Sequence, residues 1–262
     1  MSAPPRLSSA HPTRASVTSS LVVELRRIVR SGIGLGVLVA FTFFGLSSPA
    51  LAIYMPEILG AAASSDQLTI SASQATPADA VSLFNQSAMQ LGLIVTVAVA
   101  ITSIGWDTRP GSSIFYRTRV HRLGAVLLPR LALDWLTAWA TYSCGLLLTV
   151  VVTTGAIGRP PAGMVVRTWA ASGLYIVMAM SIGHLLAAGL RRTTTAIALT
   201  TLLVLVLPVM NQVPGASHRL PTALLLPTGL HAMPVIAALV VIALCCAGSV
   251  LIASRQTLRR DA

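Results

Sequence analysis

Apolar residues run along this chain in long, nearly unbroken stretches separated by short connections rich in Gly, Pro, Ser and Arg. Stretches of that length predict helices, because strands rarely exceed about ten residues. A hydrocarbon layer of about 30 Å takes roughly 20 apolar residues to cross as a helix. Six stretches qualify, at about 31–54, 88–106, 128–155, 164–190, 194–213 and 232–254. The third and fourth are longer than a crossing needs, so tilt, or ends beyond the hydrocarbon, is expected there. The predicted fold class is therefore all-α, a single polytopic membrane domain of six transmembrane helices over residues 16–262 behind a flexible tail at 1–15.

Ahead of the first span the period changes. Within Ser16 to Arg30, Leu21, Leu25, Ile28 and Val29 fall on one helical face and Glu24, Arg26, Arg27 and Arg30 occupy the rest. This is the pattern of a short amphipathic helix lying in the headgroup plane. The first span carries Gly32 and Gly36 at G-x-x-x-G spacing, which permits close helix contact. Ser48-Pro49-Ala50-Leu51-Ala52 has the look of a signal-peptide cleavage site. The apolar run is long for a signal core and its basic region extended, so the span is read as retained.

Two outer connections have structure of their own. Thr76 is a good N-cap, Pro77 fits the first helical position, and Asp79 sets a carboxylate at the positive end of the helix dipole. The second span is thus expected to begin well outside the bilayer. Asn85-Gln86-Ser87 matches a glycosylation acceptor, but it falls inside that helix. Between the last two spans Pro214, Gly215, Pro221, Pro227 and Gly229 punctuate an apolar centre, Leu220 to Leu226. Such a segment reads as a short re-entrant or interfacial helical piece capping the outer mouth, with an ordinary packed loop as the alternative.

Composition excludes a water-soluble domain, since 55% of the residues are hydrophobic and 10% charged. The net charge of +11 does not point to nucleic acid, because the basic residues sit in short connections beside spans, where anionic headgroups account for them. All 18 are arginine. Without lysine, neither a G-x-x-x-x-G-K-[ST] phosphate loop nor a Schiff base can be built, and no cofactor is expected in this chain. With both termini cytoplasmic, only Arg159, Arg167 and Arg219 fall on the outer side, which fits the positive-inside tendency. The expected location is the plasma membrane, and the arginine-only, alanine-rich usage is associated with a GC-rich bacterial genome.

Catalytic chemistry finds little footing. Cys144, Cys245 and Cys246 read as small packing residues, and the five histidines show no metal-ligand spacing, so no metal site is expected. Asp134, Arg167 and His184 are ionisable residues within or near the bilayer, where such groups mark either function or an end position. Asp134 can pair with Arg130 at i, i+4, Arg167 can snorkel outward, and His184 is two turns from Arg191, which favours anchoring. Ser181 and His184 on one helix lack an orienting base and a second element with oxyanion donors, so no enzyme is expected.

The most informative connection is Asp107 to Arg130, DTRPGSSIFYRTRVHRLGAVLLPR, with five arginines. Gly111 permits a turn, Ile114, Phe115 and Tyr116 offer anchors for a small interface, and the arginines suit carboxylates of a partner or lipid phosphates. Asp107-Thr108-Arg109-Pro110-Gly111-Ser112 fits an E-x-x-x-G-[ST] pattern with Asp107 in place of the glutamate. Arg119 to Arg122 stand where a Ser-Arg element would follow, and Arg130 where a basic residue opens the third span. Together with the interface helix, six spans, a long first outer connection and a Pro-rich last one, these features resemble the membrane (permease) subunit of a type-2 ABC exporter, from about Leu21 onward. That family is a bacterial one related to drug, lipid and antibiotic-resistance exporters.

The resemblance implies that the loop, through Asp107, Gly111, Ser112, Ile114, Phe115, Tyr116, Arg119 and Arg122, carries a coupling helix that docks on a cytosolic ABC ATPase subunit. ATP and Mg would be bound by that partner, and a second permease subunit, identical or paralogous, would complete the pair. Membrane lipids are the remaining expected partner. Spans lined by Leu, Val, Ala and Thr suit an amphipathic or apolar cargo. The alternative is a secondary transporter or channel driven by an ion gradient, for which Asp134 and His184 are the proton-coupling candidates.

Overall fold

Lipid offers the backbone no hydrogen-bond partner, so a chain this apolar must satisfy its own amides within helices. The computed structural model describes residues 15–30, 32–63, 75–104, 124–190, 192–212, 220–226 and 230–258, and there the chain is all-helical. In order these are α1 (Ala15–Arg30), α2 (Ile33–Ala63), α3 (Pro77–Ser87), a π-turn (Ala88–Gly92), α4 (Leu93–Ile104), α5 (Gly124–Ala156), α6 (Ala162–Leu190), α7 (Thr193–Val206), 3-10 turns at Leu207–Gln212 and Pro221–Leu225, and α8 (Ala232–Leu258). Six helices, α3 through α4 counted as one, are long and apolar enough to cross a membrane. The protein is a multi-pass membrane protein.

The bundle is arranged around α6, whose span is the most enclosed at 56% buried and which packs against α4, α5, α7 and α8. The α8 span has the highest mean hydropathy, 2.9, and only 17% burial. Its apolar surface is therefore presented outward, as lipid requires and water would penalise. Cys144 likewise lies on the exposed surface of α5 rather than in the packing.

Helix ends follow local chemistry. Thr76 and Asp79 form a capping box, with the Thr76 hydroxyl accepting from the Asp79 N–H at 3.3 Å and the Asp79 carboxylate accepting from the Thr76 N–H at 2.9 Å. The second span accordingly starts at Pro77, eleven residues before the apolar run that marks it in sequence. It widens once, where the Leu93 N–H reaches back five residues to the Ala88 carbonyl. Gly32 turns the chain from α1 into α2 with φ +66°, a conformation L residues rarely adopt.

A close helix crossing joins α2 to α5 through Gly45 and Gly145. A Cβ on Gly145 would lie 2.6 Å from the Phe41 carbonyl oxygen, and one on Gly45 would lie 2.6 Å from the Gly145 oxygen. Gly36 of the G-x-x-x-G pair faces open space among the described residues. Beside the crossing Phe41 and Phe84 both pack on Tyr142, with ring centroids 5.7 and 5.5 Å away.

Candidate functional site

Two polar features interrupt the apolar interior, one at the α1 end of the bundle and one at the opposite end. The first begins with the amphipathic helix. Its arginines and glutamate do not share one environment: Arg26 and Arg30 are exposed, whereas Glu24 and Arg27 turn toward the bundle. Glu24 accepts from the Arg27 guanidinium at 2.7 Å and from Arg130 of α5 at 2.5 Å (Nε) and 3.3 Å (Nη2). Arg130 is only 8% exposed. A guanidinium so enclosed is tolerable only with a carboxylate on it, and the two-nitrogen contact fixes the angle of the pair. Meanwhile Val22, Leu25 and Val29 are exposed, so α1 presents apolar side chains outward while its one glutamate clasps the foot of α5. This reverses part of the expectation from the periodicity, in which Glu24 and Arg27 belong to a face turned to headgroups.

One turn deeper on α5, Asp134 is 7% exposed and its Oδ2 lies 3.8 Å from Nε2 of His184 on α6. His184 is 1% exposed, and neither ring nitrogen has a hydrogen-bond partner among the described residues. At 3.8 Å the two groups form no hydrogen bond, and they constitute an ion pair only when His184 is protonated. Glu24, Arg27 and Asp134 also border a cavity of about 30 Å³, where Thr96 and Thr137 add hydroxyls. That is room for one or two waters with several polar partners. The cavity can hold water beside Asp134. Sequence reading identified Asp134 and His184 separately. What brings them together is the α5–α6 packing, which no local spacing encodes.

The coupling-loop residues Asp107, Gly111, Ser112, Ile114, Phe115, Tyr116, Arg119 and Arg122 lie outside the described residues, as do residues 1–14 of the expected tail. The loop's downstream end does lead into α5 at Gly124, six residues before Arg130.

At the opposite end a cavity of about 480 Å³ opens between α3, the π-turn, α6, the end of α7 and the 3-10 turn at Pro221–Leu225. Met89, Met164, Tyr175, Leu224 and Leu225 supply apolar wall, and Asn85, Gln86, Gln90, Arg167 and Thr168 supply its polar side. Asn85 is fixed by two hydroxyls, Ser172 and Tyr142 donating to its Oδ1 at 2.6 and 3.1 Å. The wall contributed by the last connection is pinned by Asn211, whose amide donates to the Thr222 carbonyl at 3.0 Å and whose oxygen accepts from the Thr222 hydroxyl at 2.6 Å. The short helical piece expected there from the apolar centre is thus a 3-10 turn with Thr222, Ala223 and Leu224 buried. The sequence carried a signal for this cavity in its polar residues Asn85, Gln86 and Gln90 just ahead of an apolar run and in Arg167 beside another, but not for their convergence.

No protein-family model, no curated protein and no solved structure matches this chain.

Proposed function

We propose that this multi-pass protein is the permease subunit of an ATP-driven exporter, working with a separate cytosolic ABC ATPase subunit and a second permease subunit. The observation that carries the reading is the clasp of Glu24 on Arg130, which ties the amphipathic helix α1 to the start of the span that the arginine-rich loop feeds. A displacement of that loop by a nucleotide-driven ATPase pair would be passed to α5 and, through the clasp, to α1 in the headgroup plane. Asp107, Phe115 and their neighbours would form the docking element, and ATP and Mg would be handled by the partner. The cargo in this reading is amphipathic or apolar.

A second reading, a secondary transporter driven by an ion gradient, is favoured by one observation, the buried Asp134–His184 pair beside a water-sized cavity. Co-expression with cytosolic ABC ATPase subunits of the same genome, purification in mild detergent and reconstitution in lipid separates the two. The exporter reading expects a co-purifying complex whose ATP hydrolysis is lost or uncoupled in Asp107→Arg, and whose assembly is weakened in Phe115→Ala, with membrane insertion unchanged. Absence of any ATPase partner, together with uptake that follows a proton gradient, would replace it with the second reading.

A further inference from the structure

The far-end cavity has a chemical bias that its size alone does not convey. About 480 Å³ lies within the range of roughly 300–1,000 Å³ that holds a small organic ligand. Among the described residues its lining contains one charged side chain, Arg167, and no carboxylate. The nearest acid along α3, Asp79, is engaged in the capping box with Thr76. Asn85 could have offered an acceptor, but its Oδ1 already takes two hydroxyl hydrogens, from Ser172 and Tyr142, which leaves its NH₂ as the donor end. Among the described residues, this donor-only cation and the amide held donor-out bias the polar side toward a ligand that accepts.

The rest of the wall is apolar and adaptable. Along α6 the lining residues Met164, Arg167, Thr168, Ala171, Ser172 and Tyr175 recur every three or four positions, so they form one stripe. From Arg167 to Tyr175 that stripe extends about 12 Å at 1.5 Å per residue. Met89 of the π-turn and Met164 of α6 both line it with unbranched side chains that conform to irregular apolar shapes. An apolar tail can therefore lie along the stripe while a head group meets Arg167, which is exposed at the rim.

We propose that this cavity binds a membrane amphiphile with a single anionic head group, its charge on Arg167 and its apolar chain between α3, α6 and the 3-10 turn at Pro221–Leu225. Calling that amphiphile the cargo rests on the permease reading; its binding does not.

The test uses the full chain in discs of uncharged phosphatidylcholine, with 11-(dansylamino)undecanoate as the anionic probe and its methyl ester as the uncharged one. Binding is read by energy transfer from the tryptophans to the dansyl group. Saturable binding of the acid is expected, weakened about tenfold or more by Arg167→Gln, a change of about 1.4 kcal/mol or more. The ester should bind the native chain no better than the acid binds Arg167→Gln. Thr168→Trp, which fills the cavity from a half-buried position, should abolish binding of both probes. Equal affinity for acid and ester, indifference to Arg167→Gln, persistence of binding in Thr168→Trp, or no saturable binding at all would each overturn the proposal. A chain that binds the acid in this way but recruits no ATPase would keep the site and remove the permease reading; one that recruits ATPase but binds neither probe would do the reverse.

Discussion

Tyr175 shows how one side chain repairs a defect that another introduces. Pro208 follows α7 and has no N–H, so the Val204 carbonyl lacks the amide that would close its turn. The Tyr175 hydroxyl, from α6, donates to that carbonyl at 3.0 Å in a fully buried position. Tyr175→Phe should therefore leave a buried acceptor unpaired and cost about 1–3 kcal/mol. The specific cause is separable by a double-mutant cycle. In a Pro208→Ala background the restored amide can serve Val204, so Tyr175→Phe should cost clearly less there, as read by thermal unfolding in detergent. An equal cost in both backgrounds would mean that Tyr175 acts through packing alone. The proline and the tyrosine are both visible in sequence, 33 positions apart, but nothing local says that they answer one another.

At the scale of elements, the helices that the sequence announces are those whose cause is local. Run length locates the spans, and Thr76, Pro77 and Asp79 announce the start of α3 because a capping box acts within four residues. The amphipathic period of α1 is equally plain, yet it fixes only which residues share a face, not that Glu24 meets Arg130 across the fold. The glycines make the same point. Spacing draws attention to Gly32 and Gly36, whereas the tight crossing uses Gly45 and Gly145, residues 100 positions apart with no common motif. Gly145→Ala should therefore destabilise the chain by about 1–3 kcal/mol, because the new methyl meets the Phe41 backbone, which cannot swing aside as a side chain would. Gly36→Ala meets nothing among the described residues and should be neutral or stabilising by up to about 1 kcal/mol. Unfolding titrations of the two variants in mixed detergent check the contrast, and a comparable loss in both would refute the crossing as the tighter contact.

For the whole molecule the decisive quantity is which end faces the cytosol. The two polar features lie at opposite ends, the Glu24–Arg130 clasp with α1 and the Arg167 cavity with the α5–α6 turn, so orientation assigns each to one side of the membrane. The arginine distribution argues that α1 and the loop between α4 and α5 are cytoplasmic, because translocating so many cations against the membrane potential is unfavourable. With Cys144, Cys245 and Cys246 replaced by serine or alanine, single cysteines report this directly. A membrane-impermeant maleimide added to intact cells should label Arg159→Cys, in the turn before α6, and Ser71→Cys. It should leave Ser113→Cys and Thr257→Cys unlabelled until the membrane is opened. The inverse pattern would set the arginine loop outside, where no cytosolic ATPase could reach it, and the exporter reading would fall with it. The anionic-amphiphile cavity would survive such an inversion, since its charge and shape belong to α3, α6 and the 3-10 turn, but it would then draw its ligand from the cytoplasmic leaflet. Labelling therefore decides more than topology: it fixes whether a ligand on Arg167 sits at the exit of an outward pathway or at the entrance of an inward one.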